Sequence, residues 1–97
     1  MIERVIVRRR AQRQIREAKL WYRNISLELG EDFLKSVDDA IALAQRYPLA
    51  FRLVYRTFRR VLLRRFPYAL FYQFTEDRIV VVAVLHQARD PRVVQRL

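Results

Sequence analysis

Residues 64–91 read RRFPYALFYQFTEDRIVVVAVLHQARDP, and this stretch decides the fold. Tyr68 to Thr75 is a run of aromatic and aliphatic residues of strand type, and Glu76 and Asp77 break it with a tight turn. Ile79 to Gln87 follows, apolar on both faces along IVVVAVL, as expected of a strand buried on both sides. Upstream, Phe58 to Phe66 predicts a longer strand and Arg52 to Tyr55 a short one. The longer strand is unusual. Phe58, Arg60, Leu62, Arg64 and Phe66 would share one face, and Arg59, Val61, Leu63 and Arg65 the other, so arginines stand on both. Such a strand belongs where a cleft or a partner covers it.

The N-terminal half has a different period. Glu3 to Arg8 alternates polar and apolar residues and predicts a first strand. From about Arg10, the residues Ala11, Ile15, Ala18, Tyr22, Ile25 and Leu29 step by three and four, one face of a helix widened by Leu20 and Trp21. Trp21 is expected to pack on the sheet. Gly30, the one glycine, supplies the expected stop. A second helix then runs through Phe33, Val37, Ala40, Ala44 and Tyr47 to Pro48, with Glu31 and Asp32 at its positive end. The expected fold class is α+β: an N-terminal strand, then an antiparallel two-helix hairpin packed on a three- to four-stranded, mainly antiparallel sheet. Residues 1–97 are expected to form a single domain.

Composition narrows the function classes. Hydrophobic residues make up 53% of the chain, too many for a disordered segment. No apolar run approaches the roughly 20 residues of a membrane helix, so no membrane association is expected. MIERVIVRRR carries charge where a signal peptide would be apolar, and there is no cysteine; a reducing cytoplasm is the expected location. The net charge is +10, and eighteen of the twenty basic residues are arginine, the side chain suited to forked recognition of carboxylates and phosphates. Nucleic acid and an acidic protein both fit that bias.

Catalytic signals are sparse. One histidine without cysteine cannot build a zinc site without several carboxylates, and neither a metal nor a cofactor is expected. Ser26 and Ser36 lack a nucleophile elbow, no phosphate loop exists, and the paired acids read as solvated surface. His86 ends the buried strand, sharing the parity of Val80, Val82 and Val84. The commoner reading is a strand-end histidine bonded to backbone; the functional one is a proton donor or phosphate contact beside Arg64, Arg65 and Arg89. No Asp or Glu lies between Asp39 and Glu76 to act as its base. Arg9, Arg13, Arg16 and Arg23 share a helix face, a basic stripe placed against the helix dipole at a small local cost.

Together these features resemble the RelE/ParE superfamily of type II toxins, the plasmid-stabilisation type. WYRNISLELGEDFLKSVDDAIALAQRYP (21–48) is similar to the family's WY…LG…F…A…P helix pair. The opening stretch is similar to its R-FPY-I-Y…I-V-V-AV-H-x-x-R-D-P hairpin through Phe66, Pro67, Tyr68, Tyr72, His86, Arg89, Asp90 and Pro91. The resemblance implies a growth-inhibiting toxin neutralised by a cognate antitoxin with an acidic segment, the two forming a hetero-oligomer. It implies one of two activities: ParE-like poisoning of DNA gyrase, or RelE-like, metal-independent cleavage of mRNA on the ribosome. In the second case His86 with Arg64 and Arg65 would be catalytic. Arg56, Arg59, Arg60, Arg64, Arg65 and Arg89 are the residues expected to bind antitoxin or target. The missing mid-chain carboxylate, the helix-borne lysines Lys19 and Lys35, and a tail without tyrosine or phenylalanine depart from the nuclease pattern and favour gyrase. A basic nucleic-acid-binding module without toxicity is the rival of another class, though neither helix presents base-reading polar residues.

Overall fold

A computed structural model describes residues 1–88 and 95–97. Strand β1 (Arg4–Val7) leads directly into helix α1 (Arg9–Arg23), which folds back on helix α2 (Leu27–Arg46). Strands β2 (Leu53–Tyr55), β3 (Phe58–Leu62), β4 (Tyr68–Thr75) and β5 (Arg78–His86) follow. They form one five-stranded sheet in the order β1-β5-β4-β3-β2. β1 runs parallel to β5 and the other pairs are antiparallel. The N-terminal strand is therefore part of the sheet, which exceeds the expected count, and the doubly apolar β5 lies between β1 and β4. Both its faces are buried: Ile79, Val81 and Val84 join the core beneath the helices, and Val80, Val82, Ala83 and Leu85 a second cluster with Phe58 and Phe71.

The helices do not meet at Gly30. α1 stops at Arg23, and α2 starts after Ser26, whose extended backbone and Oγ, accepting the Leu29 N–H at 3.0 Å, cap the new helix. Gly30 is buried inside α2, where a Cβ would stand 3.0 Å from the Arg23 Cβ. Its missing side chain lets the helices approach; it does not end one. Trp21 also departs from expectation: it is 62% exposed, because α1 turns Ala11, Ala18 and Tyr22 toward the core instead.

β3 ends at Leu62, four residues before Phe66. Residues 63–67 then leave the extended path, Arg65 taking a positive φ of 72°. The bend breaks the strict alternation. Leu62 is exposed, while Leu63 and Phe66 both bury in the helix-side core, so Phe66 does not share a face with Phe58. Ser36 on α2 donates its Oγ–H to the Arg64 carbonyl at 2.9 Å and pins this bend.

Candidate functional site

A cleft of about 160 Å³ opens where α1 crosses the ends of β4 and β5. Gln14, Glu17 and Trp21 line it from α1, and Tyr68, Val84 and His86 from the sheet. The three helix residues recur at intervals of three and four, so they project from one flank of α1. Gln14 is fixed by its role in the sheet. β1 ends at Val7, opposite Val81, and beyond that point the Val84 N–H donates to the Gln14 Oε1 at 2.8 Å.

His86 reaches this cleft through an irregularity. Phe71 pairs with Ala83 but Tyr72 pairs with Val81, leaving Val82 as an extra residue in β5. Parity reverses there. His86 therefore shares the helix side with Val84 and Val81, not with Val80 and Val82 as simple alternation requires. The His86 Nδ1 accepts the Ala88 N–H at 3.0 Å, which in the neutral ring places the proton on Nε2. Its ring meets Tyr68 edge-on at 5.1 Å. The strand-end reading, a histidine bonded to backbone, thus holds, and the same side chain still forms a wall of the cleft.

Behind the cleft lies an aromatic cluster. Tyr68 contacts Tyr22 and Phe33, and Phe66 packs edge-on against Tyr22 at 4.8 Å. Burial, with a smaller contribution from Tyr68, raises the Tyr22 hydroxyl above its ordinary pKa, so it remains a neutral phenol. On the far side of Phe66 the Arg65 guanidinium sits 5.8 Å from the ring and pairs with Asp32 of α2 at 3.3 Å. Asp32 is thus a partner for a strand-side arginine, beyond its place near the helix start.

The arginines singled out in sequence do not converge. Arg59 faces the helices opposite Tyr72 and donates to the carbonyls of Leu49 and Phe51 at 3.3 and 2.8 Å, holding the segment that follows α2. Arg60 is half-buried across from Phe71 on the other face. Arg56 lies exposed in the β2–β3 turn over the Tyr55 ring at 5.2 Å. Arg64 and Arg65 occupy the bend at the opposite end of β3, near His86 in that Tyr68 pairs with His86, yet neither lines its cleft. Arg89 lies outside the described residues. Sequence reasoning missed Gln14, Glu17 and Trp21, whose spacing was the available signal. Among the described residues no three His, Cys, Asp or Glu side chains gather as a metal site, and no helix is long and apolar enough to cross a membrane.

This order of elements, with a hairpin laid on a sheet whose first strand pairs with its last, is matched by a known family. The profile of the ParE toxin of type II toxin-antitoxin systems (parDE) aligns with residues 5–91. The chain belongs to the ParE toxin family. This ParE-family fold is also similar to a solved chain of the chromosomal ParDE TA system from P. aeruginosa, with a TM-score of 0.62 at 15% identity. That match covers 88% of this chain and 96% of the other and concerns the fold alone. No curated protein sequence matched. As a ParE-family chain, the molecule is a toxin component of a type II system, which the expected superfamily and fold class anticipated.

Proposed function

We propose that this toxin arrests growth by poisoning DNA gyrase in the cytoplasm, and that a cognate antitoxin neutralises it through an acidic segment. One observation carries the choice of target. The cleft beside His86 contains a carboxylate, Glu17, and no arginine or lysine among the described residues that line it. Cutting RNA without a metal builds negative charge on the phosphoryl oxygens, and a site for that chemistry needs cations aimed at them. This cleft offers the opposite sign. The ribonuclease reading has one point in its favour: Glu17 and His86 line one cleft and together could serve as base and acid.

Antitoxin binding is supported by the exposed Arg56 and Arg64 and by the Arg65–Asp32 pair, in which a guanidinium already donates to a carboxylate at the surface. Charge reversal of Arg64 and Arg65 to glutamate should weaken the antitoxin complex by about 2–5 kcal/mol. Affinity within about tenfold of wild type would place these residues outside that interface.

Purified toxin assayed side by side for inhibition of gyrase supercoiling and for cleavage of mRNA on ribosomes tests the target. Inhibition of supercoiling with intact mRNA is expected. Ribosome-dependent cleavage with unaffected gyrase would replace this reading by the nuclease one.

A further inference from the structure

The charge on the helical hairpin is segregated. α1 carries six cations against the single carboxylate of Glu17, whereas α2 carries five carboxylates against Lys35 and Arg46. Solubility alone would need no such division. On α1 the exposed arginines Arg9, Arg13 and Arg16 project away from the buried line of Ala11 and Ala18. They form a stripe on the flank facing away from the core, adjoining the side that walls the His86 cleft at the Arg13–Glu17 pair. Arg8 and Arg10 add charge at the helix start, where the first turn has no acidic residue and Arg8 provides no side-chain cap. Cations there oppose the helix dipole, so the arrangement costs stability locally. The one counter-charge is weak: Glu17 stands 3.9 Å from the Arg13 Nε, and both side chains are more than half exposed.

We propose that this face of α1 is a docking surface for the phosphate backbone of duplex DNA, gripping it without reading bases. Helical rise spaces Arg9, Arg13 and Arg16 over about 10 Å. That length corresponds to about three base-pair steps along the duplex axis at ~3.4 Å each. Guanidinium forks suit phosphate oxygens at such spacing. An acidic protein segment fits this surface less well. From Arg8 to Glu17 every exposed side chain is polar or charged, and the stripe meets only one exposed apolar residue, Leu20, at its far end, whereas a protein interface is anchored by several buried apolar or aromatic residues. The exposed aromatic of α1, Trp21, lines the His86 cleft and not the arginine stripe, which disfavours single-stranded nucleic acid there, since that binds by stacking on rings. Base reading is not expected, since the stripe offers only arginines. The surface adds to the toxin's role and does not depend on which target the toxin attacks.

The test is fluorescence anisotropy of the purified full chain with a labelled DNA duplex of arbitrary sequence, across a salt series. Three phosphate contacts, from Arg9, Arg13 and Arg16, predict a log–log salt slope near −3 and roughly a fortyfold loss of affinity between about 50 and 200 mM salt. The triple variant Arg9→Gln, Arg13→Gln, Arg16→Gln should flatten the slope by about 3 and lose most of the binding. A control that removes equal charge elsewhere, Arg4→Gln, Arg46→Gln, Arg52→Gln at exposed positions, should change affinity less than about threefold, although general attraction of a basic protein would make both triples equal. Circular dichroism checks that each variant is folded; Arg16→Gln alone, with a slope change near 1, serves if the triple is not. The proposal is overturned by no duplex binding near 100 mM salt or by equal losses in the two triples. Tighter binding to an RNA duplex of the same sequence, or a polyglutamate peptide that competes the duplex away more strongly than unlabelled DNA, would also overturn it.

Discussion

Gly30 lies so close to Arg23 that an added Cβ would stand 3.0 Å from the Arg23 Cβ and 3.2 Å from its Cα. The obstruction includes backbone of the facing helix, which cannot swing aside. Gly30→Ala gains about 1 kcal/mol of helix propensity but wedges α1 from α2, and overpacking of this kind costs about 1–3 kcal/mol. A net loss is expected, read as a thermal midpoint lowered by several degrees. An unchanged or higher midpoint would mean that the hairpin can open freely at this point.

Tyr72 is fully buried and donates its hydroxyl hydrogen to the Pro48 carbonyl at 2.7 Å. Tyr72→Phe should cost about 1 kcal/mol at neutral pH. Burial raises the Tyr72 pKa, only partly opposed by the Arg59 charge. The fold therefore holds the phenolic proton more tightly than the unfolded chain does. That contribution is complete below the ordinary value near 10 and is lost as pH rises through the higher folded value. Denaturant melts across alkaline pH should show the wild-type advantage over Tyr72→Phe shrinking above about pH 10. A constant gap would sink the idea.

Arg59→Met keeps the length of the side chain but removes both donors to the Leu49 and Phe51 carbonyls. A loss of about 1–2 kcal/mol is expected. The effect should be local first: trypsin should cut faster after the exposed Arg52 of the variant. If cleavage there matches wild type, the guanidinium is not what holds residues 48–52.

His86→Gln retains a polar strand end, and the exposed position makes folding tolerant. Under the gyrase reading growth arrest persists in this variant and in Glu17→Gln. A nuclease relying on His86 as its acid would lose roughly 10²–10⁴ in rate. Folded His86→Gln protein that fails to arrest growth would favour that nuclease.

How much of this was legible in the sequence depended on how local the determining physics was. β4 and β5 declared themselves through apolar runs and a polar turn, and their limits fell within a residue or two. Gly30 misled because a helix-ending glycine and one that admits a neighbouring backbone look alike in sequence. Ser26, three residues before Leu29, was the better cue. The extra residue Val82 could not be read from β5 alone, since a bulge is defined by the strand opposite. His86 was therefore placed on the wrong face. Gln14, Glu17 and Trp21 were visible as one flank of a helix, but which element that flank would meet is a tertiary fact.

β1 pairs in register with the start of β5, Arg4 beside Arg78 and Val7 beside Val81. The two ends of the domain are thus stitched together, and synthesis must pass β5 before the first strand has anywhere to go. Closing so long a loop is among the slower events in folding. During translation α1 and α2 can form a hairpin, but the sheet they cover is incomplete until nearly the whole chain has emerged. A toxin built this way assembles late, as a finished chain, and the interval before β5 arrives is time in which a partner can be present first.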